Sequence, residues 1–428
     1  MLAGFAGMNA AGQGSFATLQ PSFTETGHVP PETTTPPPRD IYFEYIDVGV
    51  LFVALCAAAF FALKTRSRRG MVILTVFSLL YFGFWRRGCV CPVGSVQNVA
   101  LALADSSYAI PLIVVAFFAL PLIFALLFGR VFCAGVCPLG AIQELVVVKP
   151  VNLPIWLNKA LSIFPYVFLG LAITFTVCNA GFIICRYDPF VGFFRMGASY
   201  PMLLFGGALL VIGMFVGRPY CRFLCPYGVL LGWCSGLSKK HVTITPDKCI
   251  QCRLCETSCP YDTILMPLPE SAPDPLPKGT RRLAVMLLLA PVLVIGGAWI
   301  GSRMAVPLSF GHPQVRLAEQ VLAEDRGMTA VTTIDSDTFR LSGMTHSELY
   351  AQTIEIRRQF GFAGWFLGGF IGLVIVIKLL TLSIRRKQPD YIPDNVNCYS
   401  CTRCFKACPV EEENEERRAS AEFTRRTR

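Results

Sequence analysis

Several stretches of this chain stay apolar for close to 20 residues, long enough for a helix to cross a bilayer core of about 30 Å. They read as seven helices at about 46–63, 71–86, 108–128, 156–177, 200–217, 283–302 and 361–381. The composition agrees. Charged residues make up 15% of the 428, against about 25% in an ordinary globular chain, and the mean hydropathy is +0.52. The first helix ends in Lys64-Thr65-Arg66-Ser67-Arg68-Arg69, a cytoplasmic anchor that places the N-terminus outside and the C-terminus inside. On that plan 27 of the 38 Lys and Arg fall on the inner side and 11 on the outer, as the positive-inside rule requires. The net charge of +10 is thereby a matter of topology, and nucleic-acid binding is not expected.

Other classes drop out on single residues. The four histidines, His28, His241, His312 and His346, all lie outside the apolar runs, which excludes a bis-histidine haem within the membrane. The helix centres carry no Asp or Glu, the residues that mark ion and proton pathways. Residues 1–45 read as an exported tail, with the polyproline-like Val29-Pro30-Pro31-Glu32-Thr33-Thr34-Thr35-Pro36-Pro37-Pro38. The tail lacks a basic start and an apolar core, so a cleaved signal peptide is not expected.

The strongest chemical signal is Cys249-x2-Cys252-x2-Cys255-x3-Cys259-Pro260, repeated as Cys398-x2-Cys401-x2-Cys404-x3-Cys408-Pro409. This is the spacing of bacterial two-cluster ferredoxins, in which the fourth cysteine of each run serves the other cluster. One [4Fe–4S] cluster is expected on Cys249, Cys252, Cys255 and Cys408, the second on Cys398, Cys401, Cys404 and Cys259. Zinc is the alternative for a paired Cys-x2-Cys; two identical four-cysteine runs favour clusters. Helices six and seven separate the two runs. An even number of crossings returns the chain to the same face, so both runs can build one domain in the reducing cytosol.

A second pattern repeats at helix ends. Gly129-Arg130-Val131-Phe132-Cys133-x3-Cys137-Pro138-Leu139-Gly140 recurs as Gly217-Arg218-Pro219-Tyr220-Cys221-x3-Cys225-Pro226-Tyr227-Gly228. Cys89-x-Cys91-Pro92-Val93-Gly94 is a divergent copy facing outward, and aligning the Cys-Pro pairs also matches Gln97 with Gln143. Two copies face in, and opposed repeats mark membrane functional sites. Cys133, Cys137, Cys221 and Cys225 either hold an additional metal centre or act as redox thiols. A disulfide within each pair requires the turn to unwind. Cys89 and Cys91 are candidate metal ligands nearest the outer edge. Arg86 and Arg87 either snorkel or balance the charge of thiolates or a cluster. Cys178 and Cys185 could pair in the outer loop, where Arg186-Tyr187-Asp188-Pro189-Phe190 is polar enough to meet a partner or a quinone head group. Cys56 and Cys234 read as buried apolar thiols.

These motifs resemble the membrane polyferredoxins of the NosR, NapH and CcoG (RdxA) kind, over roughly residues 46–262 and 361–410. The resemblance implies electron transfer between a cytoplasmic carrier and a quinone or an outer-side flavoprotein or redox protein. NosR-like proteins carry an exported FMN domain ahead of the helices and CcoG-like ones a further C-terminal β domain. This chain has a 45-residue tail and stops soon after Cys408. Ser342-Gly343-Met344-Thr345 is similar to the Ser-Gly-Ala-Thr site that bears FMN on threonine in some exported proteins. The loop is too short for that domain, so FMN is expected on another subunit.

The expected fold class is an all-α integral membrane bundle with a cytoplasmic bacterial-type ferredoxin (α+β) domain formed from two separated segments. Its parts are the tail 1–45, a five-helix membrane domain 46–240, ferredoxin half one at 241–282, helices six and seven with a helical cap (303–360) at 283–382, and ferredoxin half two with a charged tail at 383–428. The expected role is an electron-transfer subunit of the inner membrane rather than a stand-alone enzyme. The rival is a redox-sensing or metal-handling maturation or regulatory protein that supports assembly of another enzyme.

Overall fold

The computed structural model describes residues 40–88, 91–151, 153–244, 249–267, 276–329, 331–383 and 391–409. The chain is a mostly helical, multi-pass membrane protein. Among the described residues four helices are long and apolar enough to cross a bilayer: Ile41–Lys64, Ile155–Val177, Thr280–Arg303 and His346–Leu382. A fifth crossing is reached if the pair Pro189–Arg195 and Tyr200–Gly213, bent by 112°, counts as one span. Two of the seven expected spans fall short for local reasons. Residues 71–86 lie in a helix that opens on Arg68-Arg69 and loosens to π-helix at Leu79–Trp85. The helix Leu112–Phe128 has 17 residues, below the ~20 that a full crossing takes.

In chain order the membrane core comprises α1 (Ile41–Ala59), α2 (Arg68–Ser78), α3 (Pro92–Ala104), α4 (Leu112–Phe128), α5 (Val131–Gly135), α6 (Pro138–Leu145), α7 (Ile155–Leu161), α8 (Phe164–Val177), α9 (Ile183–Tyr187), α10 (Pro189–Arg195), α11 (Tyr200–Gly213), α12 (Pro219–Phe223) and α13 (Pro226–Gly236). The structure shows a tandem repeat. A Cys-Pro or Asp-Pro turn opens a helix (α3, α10). An apolar helix follows (α4, α11), then a Gly-Arg turn, a five-residue helix (α5, α12) and a Cys-Pro helix (α6, α13). Cys91, Cys137, Asp188 and Cys225 are all extended N-cap residues followed by proline at the first helical position, where the missing N–H costs nothing. Helix α3 was not foreseen in the sequence, being too short to read as a span.

Then come α14 (Leu254–Thr257), β1 (Ile264–Leu265), α15 (Leu276–Arg303), α16 (Ala305–Ser309), α17 (Pro313–Asp325), α18 (Ile334–Leu341), α19 (His346–Ser383), β2 (Ile392–Pro393) and α20 (Arg403–Lys406). The two ferredoxin segments join as an antiparallel pair, Ile264 opposite Pro393 and Leu265 opposite Ile392. The amphipathic segment at 347–360 is not a separate cap helix. It is the start of α19, whose 38 residues span about 57 Å at ~1.5 Å per residue.

Helices α15 and α19 approach backbone to backbone. A Cβ on Gly297 would fall 2.5 Å from the Gly368 carbonyl oxygen, and one on Gly364 would fall 2.5 Å from that of Gly301. The small-residue seam replaces a hydrophobic driving force, which lipid does not supply. Gly301→Val is expected to lower thermal stability in detergent by about 1–3 kcal/mol or more, because a carbonyl on a helix cannot step aside. Gly296→Ala, with nothing within 4 Å, should stay within about 0.5 kcal/mol. Equal losses at the two positions would refute the seam.

Candidate functional site

The two four-cysteine runs fold alike. In the first loop Gln251 and Arg253 have φ of 52° and 65°, and in the second Ser400 and Thr402 have 53° and 64°. These left-handed residues stand at equivalent positions between the cysteines. None is glycine, so each carries strain of about 1–3 kcal/mol. Such alternation turns successive amides into a concave nest for an anionic group, as at many iron–sulfur sites. Cys259 of the first run lines one cavity with Cys398, Cys401 and Cys404 of the second. Cys249 and Cys252 are electrostatic neighbours of Cys255, and Cys255 is one of Cys404. Cys408 follows α20, its amide donating to the Phe405 carbonyl. Among the described residues no three His, Cys, Asp or Glu side chains are grouped closely enough to hold a single metal ion. Four thiols around a cavity with no histidine or carboxylate in its lining fit a cysteine-held cluster.

The membrane repeats bring their inner cysteines together. Cys137 lies within electrostatic reach of Cys133, Cys221 and Cys225. The chain unwinds between α5 and α6, and all four thiols are free. The repeats hold each other by exchanging arginines. Arg130 Nη2 donates to the Gly228 carbonyl at 2.6 Å, and Arg218 donates to the carbonyls of Cys133 and Ala134. Gly140 and Gly228, equivalent in the two copies, leave room for these guanidiniums: a Cβ would sit 3.3 Å from Arg218 Nη1 and 3.0 Å from Arg130 Nη2. Gln143 accepts the Tyr220 amide at 3.0 Å and donates to the Cys221 sulfur at 3.3 Å.

The ferredoxin segments sit directly on this group. Tyr261 and Tyr399, one from each segment, pack with ring centroids 4.8 Å apart. Arg218 lies over both rings, and Arg130 over Tyr399 at 4.8 Å. Tyr399 has Cys221 and Cys133 among its electrostatic neighbours. Arg130 also reaches the Val396 carbonyl, Ser235 the Asn395 carbonyl, and Arg68 the Cys401 carbonyl.

One carboxylate serves three arginines here. Glu144 pairs with Arg68 at 2.6 Å, Arg403 at 2.8 Å and the fully buried Arg218 at 3.1 Å, and accepts the Tyr261 hydroxyl. Burial alone would raise the Glu144 carboxyl, but Arg218, Arg403 and Arg68 outweigh it and hold the pKa at about 2. Among the described residues the buried Arg130 has no carboxylate partner, and its ionisable neighbours include Tyr399 and the thiols of Cys133, Cys225 and Cys221. The site therefore has cations in excess, a costly condition without an anion. The sequence reading missed Glu144, Arg403 and both tyrosines. Only the shared register of Gln97 and Gln143 was a visible signal.

At the opposite end of the repeats, Cys89 lies outside the described residues. Cys91 is close to Cys185 and Asp188. Cys178 and Cys185 are not paired: both are free, and Cys178 is buried with Ala305, Val315 and Phe360. Arg86, expected either to snorkel or to balance thiolates, has a carboxylate partner. It pairs at 2.6 Å with Asp47, a fully buried carboxylate near the start of α1 that also accepts the Tyr81 hydroxyl. Cys56 is exposed and Cys234 half-exposed, so neither is the buried apolar thiol expected; both sit on helix flanks.

Comparison with known proteins agrees with this chemistry. A family model described as a 4Fe-4S binding domain matches residues 110–163 and 198–245, one in each membrane repeat. A second 4Fe-4S binding domain model matches 241–264. NirI of Paracoccus denitrificans is 32% identical over 182 residues, 40% of this chain and 25% of that protein. Regulatory protein NosR of Pseudomonas aeruginosa is 26% identical over 219 residues, 44% of this chain and 30% of that one. Ferredoxin-type protein NapH of Escherichia coli is 28% identical over 185 residues, 41% of this chain and 61% of its own. The chain thus spans less than two thirds of each of these relatives. No solved structure matches it. Family models and relatives together support a membrane polyferredoxin of the NosR/NapH type that binds iron–sulfur clusters.

Glu144→Gln leaves three guanidiniums without their shared anion, and is expected to cost about 3–5 kcal/mol in thermal unfolding. The native pKa lies below the unfolded value, so the Glu144 contribution is complete above about pH 4.5 and fades as pH falls toward about 2. Glu144 should add no pH dependence between pH 6 and 8. A neutral effect of the substitution would remove Glu144 from this role.

Proposed function

We propose that this chain is an electron-transfer subunit of the inner membrane, linking a cytoplasmic carrier to a quinone or an outer-side redox protein. The observation that carries the reading is contact. Tyr261 and Tyr399 line the cavity of Cys259, Cys398, Cys401 and Cys404, Arg218 lies over both rings, and Tyr399 has the membrane thiols Cys221 and Cys133 as neighbours. Cys259, Cys398, Cys401 and Cys404 would hold one [4Fe–4S] cluster, and Cys249, Cys252, Cys255 and Cys408 the other. The clusters supply storage of single electrons at potentials tuned by charge and hydrogen bonds. Cys133, Cys137, Cys221 and Cys225 would hold a third, cysteine-ligated centre. The surplus of buried guanidinium around them supports an anionic occupant, and Gln143 and Arg130 orient the thiols. Tyr261 and Tyr399 keep water from the gap. Cys89 and Cys91 are the outer candidates, and any flavin belongs to another subunit.

The topology we propose has seven crossings, with α2 and α4 as short ones, the N-terminus outside and both ferredoxin segments inside. The balance of arginine and lysine and the β1–β2 pairing support it. A second reading, a role in regulation or assembly of another enzyme, draws on the relative named as a regulatory protein. Rapid reoxidation of the clusters by a quinone or an outer acceptor separates a carrier from a regulator.

Purified anaerobically, the protein should hold about eight irons from its two ferredoxin runs, and clearly more if the membrane thiols bind iron. The excess should vanish in a Cys133→Ser/Cys221→Ser variant. A value of about eight that all four inner cysteines can be removed without changing would leave them as redox thiols.

Crossed ligation has its own test. Cys408→Ser should alter the EPR spectrum of the reduced protein as Cys252→Ser does. A spectrum that follows Cys401→Ser instead would mean that each run binds its cluster alone.

A further inference from the structure

The inner cysteines come two from each repeat unit, and the outer ends of the same units meet in the same manner. Gln143 accepts the amide of Tyr220, the residue before Cys221. Gln97, its equivalent, accepts the amide of Ile184, the residue before Cys185, at 2.9 Å, and its Nε2 is anchored on Thr176 at 2.8 Å. Cys185 therefore stands at the outer end where Cys221 stands at the inner end. Cys91, before Pro92, likewise corresponds to Cys137, before Pro138.

The two outer sulfurs converge on one residue. Burial pushes the pKa of the Cys91 thiol up to about 12, against the amides of Gly94 and Val93 that hydrogen-bond its sulfur, and Cys185 is an ionisable neighbour. The Cys185 sulfur lies 3.1 Å from the point that a Cβ on Gly94 would occupy. The absent side chain at 94 thus makes the space in which one sulfur approaches the other. Cys185 is exposed and Cys91 half-buried, the arrangement of an attacking thiol and a resolving one. Asp188 is not free to complete a metal site. Its Oδ1 takes the amides of Phe190 and Val191, and its Oδ2 takes the Tyr220 hydroxyl at 2.7 Å. That last bond also ties the outer turn to the inner one, since Tyr220 has both Cys225 and Cys91 among its charged neighbours.

We propose that Cys91 and Cys185 form one redox-active thiol pair that exchanges two electrons with a disulfide-bearing partner at the outer face. This rests on the reading of an electron path that reaches the outer edge, and it names the substrate class there. The Cys185 thiolate attacks one sulfur of the partner's disulfide, forming a mixed disulfide and releasing the first partner thiolate. The buried Cys91 thiol then attacks the Cys185 sulfur, passing its proton to the departing partner sulfur. The second partner thiolate leaves. The pair ends as a disulfide, the partner as a dithiol, and the two thiol protons pass to the partner's sulfurs.

The test uses the full-length protein in detergent, equilibrated with oxidised glutathione, alkylated, digested and read by mass spectrometry. Peptides linked through Cys91 and Cys185 are expected, and dithiothreitol should return both residues to the alkylated form. Gly94→Ala, whose methyl takes the space beside the sulfur, should lower the linked fraction at least tenfold. Full alkylation of both cysteines after oxidation would overturn the proposal. So would linkage of Cys91 to Cys89 or of Cys185 to Cys178. Protection of both under reducing conditions, released by a chelator, would overturn it in favour of a bound metal. Iron content and the EPR spectrum of the same samples separate the two readings. Intact iron without the link refutes the thiol pair alone, whereas missing iron refutes the electron-transfer reading.

Discussion

Two buried arginines, exchanged between two repeats, hold the middle of this protein together. Arg218 is fully buried and grips the carbonyls of Cys133 and Ala134 within α5 of the other unit. Arg130 returns the grip at Gly228. A guanidinium at such depth is tolerable only when most of its five donors are met and its charge is answered. Glu144 answers for Arg218 and is shared with Arg68 and Arg403, so α2, α6, α12 and the second ferredoxin segment are fastened at one carboxylate. The thiols of Cys133, Cys221 and Cys225 are the ionisable groups next in reach of Arg130. Packing, charge and redox chemistry are thus one problem here, and removal of any partner exposes the others.

The rest of the membrane domain follows a different rule. Between α15 and α19 there is little polar chemistry, and contact depends on glycines that let the backbones touch. The pair carries the chain out to the cap and back. The cap is built on soluble-protein logic: Thr333 and Ser336 form a reciprocal cap on α18, and Val321, Leu317 and Phe339 make a small core.

What the sequence disclosed depended on how local the information was. The two cysteine runs were legible because their spacing is set within a single loop, and the two loops fold alike. The convergence of Cys133, Cys137, Cys221 and Cys225 was half-legible, since their register repeats while their meeting is tertiary. The fourth copy was hidden because aspartate stands at 188 where cysteine stands in the others. Only the proline at 189 and the extended cap before it betray the kinship. The start of α19 was misplaced because an amphipathic segment runs into an apolar one without a helix breaker. Asp47 escaped notice because its partner, Arg86, lies 39 residues on.

The antiparallel pairing of residues 264–265 with 392–393 also dictates an order of manufacture. During translation the first cysteine loop leaves the ribosome long before the second, and α15 and α19 must be threaded into the bilayer in between. Until that threading is complete, Cys259 has no companions and its cavity has no far wall. On the proposed ligation, cluster loading is in this way conditional on correct insertion. A chain with a misplaced helix would then carry its second loop away from Cys259, so the split architecture would double as an inspection step in biogenesis.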